Sequence, residues 1–176
     1  MKRKLIALAL TLGLTLSLAA CGGAPAAGNE ESPAPQAGSA APEASGAYVF
    51  TTGDGVTVSV NEDMAQALSD LGEAQSYFEA ESCAFEGLDK TYTYPGFVIT
   101  TRPDGEKDYV NSIRLTDDSV STAEGVYIGS SEADVKAAYG EDGGADQGML
   151  SYTAGGVSLN FILEEGAVIS IEYLPA

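Results

Sequence analysis

Between residues 91 and 174 the chain is divided into short β-prone runs by turn residues set so close together that neighbouring runs can pair only antiparallel. Three runs lie at 91–94, 97–101 and 109–115, and three more at 149–153, 157–163 and 168–174. Pro95-Gly96 ends the first, Pro103-Asp104-Gly105 forms the core of the 102–108 turn, and Glu164-Glu165-Gly166 closes the last hairpin. Upstream, Tyr48-Val49-Phe50 and the run 56–60 flank Gly53-Asp54-Gly55, a further strand, turn and strand. Helical periodicity occurs twice. Asn61, read as a cap, precedes Met64, Ala67, Leu68 and Leu71, apolar residues three and four apart that stop at Gly72. Val126-Tyr127-Ile128 then leads as a strand into Ser131 and Asp134, spaced as a capping box, with Val135, Ala138 and Tyr139 on one face and Gly140 at the end.

A shift of 68 positions superposes Val58 on Val126, Val60 on Ile128, Leu71 on Tyr139, Gly72 on Gly140 and Glu73 on Glu141. Residues 47–176 therefore read as an α+β domain of two tandem helix-plus-antiparallel-meander units, 56–118 and 124–174. The units are expected to form a continuous or side-by-side antiparallel sheet with helices on one face. Identity between them is low, and coincidental α+β patterning is the competing explanation.

Residues 125–140, with Gly129 before the cap Ser131, a short helix and Tyr139-Gly140, resemble the unit of the β-lactamase-inhibitor-protein-like fold and of the small outer-membrane-assembly lipoproteins. The resemblance covers about 50 residues of the second unit. The first departs from it, having Asn61 where the second has Ser131 and no Gly ahead of it. It implies two sheets laid side by side whose concave face and loops grip a partner protein. The matching residues are structural, so no catalytic or inhibitory role is carried over.

The first 20 residues have the plan of an export signal: Lys2, Arg3 and Lys4, then an apolar stretch from residue 5 to 20 that is shorter than the roughly 20 residues a spanning helix needs. Leu18-Ala19-Ala20-Cys21 resembles the lipobox of bacterial lipoproteins. The resemblance implies cleavage before Cys21, a diacylglyceryl group on its sulfur, and anchoring to a membrane on the extracytoplasmic face. Residues 22–46 hold no aromatic and no large aliphatic side chain, which predicts a disordered tether averaging roughly 25–30 Å end to end.

The charge is strongly one-sided, 26 Asp and Glu against 8 Lys and Arg, and three of the cations belong to the leader. So acidic a chain repels phosphate backbones, which excludes nucleic acid as a partner. There is no His, which removes Ser-His-Asp and Cys-His catalysis and His-ligated zinc or haem, and no cofactor is expected. With Cys21 lipidated, Cys83 is left alone and reads as a small buried hydrophobe in a strand. The acid-rich loops lack the calcium-loop spacing and read as solvated surface; were one to hold calcium, Glu141, Asp142 and Asp146 would be the ligands.

Tyrosine is the dominant aromatic, nine residues against five Phe. Tyr92 and Tyr94 alternate along one run and so share a face, and with Tyr109 they are the candidates for a recognition surface, core packing being the alternative. The expected function is thus a membrane-anchored lipoprotein with a non-catalytic protein-binding domain. The alternatives are an envelope-assembly or structural lipoprotein and an enzyme-inhibitor module of the β-lactamase-inhibitor type.

Overall fold

A computed structural model of the chain describes residues 46–146 and 148–176; the leader, Cys21 and the tether to residue 45 lie outside the described residues. A two-stranded ribbon, β1 (Phe50–Thr51) and β2 (Thr57–Val58), precedes helix α1 (Met64–Leu71). Four strands follow: β3 (Ser76–Glu81), β4 (Leu88–Tyr94), β5 (Phe97–Asp104) and β6 (Lys107–Leu115). Helix α2 (Glu132–Tyr139) then leads into β7 (Gly144–Asp146), β8 (Met149–Ala154), β9 (Val157–Glu164) and β10 (Ala167–Pro175). The last eight strands form one antiparallel sheet in the order β3-β4-β5-β6-β10-β9-β8-β7. The fold is sheet-dominated, 47% strand and 12% helix.

Cross-strand pairing decides which face is covered. Ile99, Ile113, Tyr173, Leu159 and Tyr152 stand opposite one another across β5, β6, β10, β9 and β8, and so do Phe97, Leu115, Ile171, Phe161 and Leu150. All ten are buried, in one core with Met64 and Ala67 of α1 and Val135 of α2. Both helices therefore lie on the same face. Phe50 of β1 completes the core, its ring 4.8 Å from that of Phe97 and 6.2 Å from that of Tyr173. The alternate residues of the same strands form the open face.

The helix ends follow from local chemistry. Ser131 and Asp134 make the expected capping box: the Ser131 hydroxyl accepts from the Asp134 amide at 3.2 Å, and the Asp134 carboxylate accepts from the Ser131 amide at 2.9 Å. The α1 cap is Asp63 rather than Asn61. Asn61 has φ 67° and is drawn aside by its amide, which donates to the Val110 carbonyl at 2.8 Å. Val126-Tyr127-Ile128 is not a strand. The hydroxyls of Thr122 and Ser130 accept from the amides of Val126 and Tyr127, at 3.2 and 3.1 Å, and fold the segment into turns.

The hairpins are tighter than expected. β5 runs through Pro103 to Asp104, and Gly105-Glu106 alone make the turn to Lys107. Pro103 is tolerated because the β4–β5 pairing stops at Thr91 and Thr100, so no neighbour needs its missing N–H. The 141–148 loop contains β7, and each helix is followed by four strands rather than three. The described chain begins beside the β8–β9 turn, where Gly155 faces Ala47, and ends there too, the Ala176 amide donating to the Gly156 carbonyl at 3.0 Å. Among the described residues no helix is long and apolar enough to cross a membrane.

Candidate recognition surface

Tyr92 and Tyr94 do share a face, and it is the helix-covered one. Tyr94 is 5% exposed; its ring stacks on Phe97 at 5.0 Å and its hydroxyl donates to the Gly72 carbonyl at 3.2 Å, closing the C-terminus of α1. Burial raises its pKa. Tyr94 is a core residue, and the expectation that it lines a recognition surface is corrected. Tyr92 is half-buried, with the ring of Tyr77 5.0 Å away. Tyr109, also half-buried, lies under the Arg102 guanidinium, 5.4 Å from its ring centroid, while Arg102 donates to the Asn61 side-chain carbonyl at 3.3 Å. Tyr92 and Tyr109 sit on opposite faces, because Tyr92 is opposite Ile99 and Tyr109 is opposite Arg102. The three tyrosines therefore do not form one surface.

The two most exposed aromatics lie on β3, a strand at the margin of the sheet; Tyr127, in the turns before α2, is exposed at 46%. Every residue from Ser76 to Glu81 is exposed, with Phe78 at 66% and Tyr77 at 51%. Phe85 in the following loop and Leu88 at the start of β4 are exposed as well. Phe78 stands opposite Thr91, itself opposite Thr100, and so projects on the open face; Tyr77 stands opposite Tyr92 on the helix side. The Tyr77 hydroxyl donates to Glu79, and this bond is the first cause of its raised pKa.

The same strand has free backbone groups. The Ser82 amide donates to the Gly87 carbonyl at 3.0 Å, in register with the β3–β4 ladder, so the even-numbered residues bond to β4. Tyr77, Glu79 and Glu81 direct their N–H and C=O groups outward. Residues 73–89 carry five carboxylates, Glu73, Glu79, Glu81, Glu86 and Asp89. The nearest cation, Lys90, is opposite Glu79 but is engaged by Asp108 at 2.6 Å, which raises its pKa.

The rest of the open face mixes polar residues with exposed Ile162 of β9, and Ile169 at the β10 bulge is exposed too. Thr100 and Ser112 share a hydrogen bond of 2.8 Å, and Ser151 donates to Asn160 at 2.6 Å. At the middle of the sheet Arg114 stands between Val98 and Glu172. A groove of about 500 Å³ lies at one end of the sheet, where Leu71, Pro95 and Val120 flank the core rings of Tyr94 and Phe97.

The acidic loops are dispersed. Glu141 is exposed and 4.0 Å from the Lys136 ammonium, Asp142 is exposed, and Asp146 pairs through its backbone with Met149, its side chain lying outside what is described. Among the described residues no three Asp, Glu or Cys side chains converge as metal ligands. Cys83 is exposed in the 82–87 loop, which corrects its assignment to a buried strand position: β3 ends at Glu81, beyond the reach of either helix. Sequence reasoning placed Cys83 in a strand but passed over Tyr77 and Phe78. The available signal was the density of Glu residues flanking them, which suits a margin and not a core strand. No protein family, curated protein or solved structure matches the chain.

Proposed function

We propose that the chain is a membrane-anchored extracytoplasmic lipoprotein whose domain binds a protein and catalyses nothing. The observation that carries the binding reading is β3, exposed along its whole length and bearing Tyr77 and Phe78. Rigid aromatics with a wet face and an apolar one are the side chains that bind proteins at low entropic cost, and a contiguous exposed group of them marks an interaction site. The anchor rests on the sequence: Leu18-Ala19-Ala20-Cys21 after a basic start and an apolar run.

The element order, a helix and four strands twice over with the halves joined at β6 and β10, favours reading the domain as two tandem units that arose by duplication. On that reading the chain is an envelope-assembly lipoprotein or an inhibitor module of the β-lactamase-inhibitor type. The first unit differs in having the β1–β2 ribbon ahead of its helix, where the second has turns.

The test uses the full-length protein in its own membrane. A photo-crosslinking residue at position 78 should yield a discrete protein adduct that is missing when the residue is placed at 165, in the β9–β10 turn. Equal adducts at both positions, or none at 78, would refute binding at β3. Labelling with radioactive palmitate should mark the wild type and not Cys21→Ser; label on the variant would refute the anchor.

A further inference from the structure

We infer that β3 accepts an extended basic peptide as an added strand, with Lys or Arg at alternate positions and apolar residues between them. The inference rests on the protein-binding reading and names the chemistry of the partner. Three observations converge on it. The outward N–H and C=O groups of Tyr77, Glu79 and Glu81 form an unpaired strand edge, which another backbone can complete. The same three residues project on the helix side, so residues of an added strand directly opposite them meet Glu79, Glu81 and the ring of Tyr77, where a cation is favoured. The intervening residues meet Phe78 and Ala80 on the open face, where an apolar side chain covers exposed aromatic surface.

Charge chooses the occupant. A second copy of this chain would bring Glu79 and Glu81 against their own counterparts, and the chain carries a net −18, so self-pairing is repelled. An acidic peptide is repelled in the same way. A basic strand is attracted by five carboxylates along residues 73–89, while the one nearby cation is already engaged with Asp108. Alternation matters as much as charge, because successive side chains of a strand point to opposite faces.

Detergent-solubilised full-length protein is titrated into fluorescein-labelled peptides and anisotropy is read. The alternating peptide Lys-Val-Lys-Val-Lys-Thr-Lys should bind. The same composition as Lys-Lys-Lys-Lys-Val-Val-Thr, and the alternating peptide N-methylated at every second amide on its docking edge, should each bind at least tenfold more weakly. Both comparisons leave the protein unaltered, so folding does not enter. In the protein, Glu79→Pro removes an outward N–H without touching the β4 ladder and should weaken binding at least tenfold, whereas Glu164→Gln with Glu165→Gln should leave it unchanged. Equal affinity for all three peptides would mean general attraction to an acidic surface and would overturn the inference. No binding of the alternating peptide would also overturn it, while an adduct at position 78 would still stand for the protein-binding reading.

Discussion

The β8–β9 turn offers a paired substitution in which backbone strain and steric overlap can be separated. Gly155 and Gly156 are its two residues, and both have positive φ, 57° and 80°. Replacing either with Ala places a Cβ in left-handed backbone, at about 1–2 kcal/mol. At Gly156 nothing else happens, since a Cβ there meets no atom within 4 Å. At Gly155 the Cβ overlaps Ala47, whose amide nitrogen lies 2.6 Å away and whose Cα is also in the path. Backbone cannot rotate aside like a side chain, so the 46–49 segment must move. Its Tyr48 ring, edge-on to Tyr139 at 5.6 Å, moves with it. That contact is worth about 0.5–1.5 kcal/mol, and overpacking typically costs about 1–3 kcal/mol. Gly155→Ala should therefore lose about 2.5–6.5 kcal/mol and Gly156→Ala about 1–2 kcal/mol. With a urea slope of about 2 kcal/mol per molar the two midpoints separate by about 1–2 M at equal slope. Equal midpoints would refute the seating of the N-terminal segment on this turn.

Ser131→Ala should lose about 1 kcal/mol by urea titration at pH 7, because it removes the oxygen that satisfies the Asp134 amide. The Asp134 carboxyl is held below its ordinary 3.8, first by the Ser131 hydroxyl and then by the Ser131 amide. A depressed carboxyl stabilises above its unfolded value and loses that contribution on acidification, so the gap between wild type and Ser131→Ala should narrow as pH falls below about 4. The Tyr139 phenol is raised above 10.0 by burial and then by its hydrogen bond to Glu124, and the Tyr173 phenol is raised by burial. These groups contribute fully below pH 10 and less as pH rises further. Tyr139→Phe should therefore be less stable than wild type at pH 8 and fall less steeply between pH 9 and 11; parallel curves would contradict the burial of that hydroxyl. Cys83 should react with a thiol reagent in undenatured Cys21→Ser protein, and protection until urea is added would contradict its exposure.

What the sequence disclosed was local, and what it withheld depends on distant regions of the chain. Ser131, Asp134 and Gly140 mark α2 because their partners lie within one helical turn. The β9–β10 turn is legible in Glu165-Gly166 for the same reason, both residues taking positive φ. Alternation placed Tyr92 and Tyr94 on one face, yet which face is covered depends on where α1 ends, and Gly72 lies 22 residues upstream of Tyr94. Asn61 and Asp63 are both good caps; the choice between them is made by the backbone pairing of Asn61 and Glu62 with Val110. The position of β3 at the margin is likewise a property of strand order. It turned Cys83 from a core residue into an exposed one and left Tyr77 and Phe78 unnoticed.

The described chain starts at the β8–β9 turn, whereas β3 is the opposite margin of the same sheet. With strands about 4.8 Å apart the two lie roughly 25 Å from each other, measured across the ladders. Tension between the N-terminal segment and a partner held at β3 thus acts at right angles to the strands, the direction in which a sheet comes apart ladder by ladder. The β3–β4 ladder has little apolar packing behind it, since every residue of β3 is exposed. Under load a captured partner would be shed, alone or with β3, before the rows through Ile99 and Phe97 are disturbed. On the proposed binding mode the margin would yield before the core.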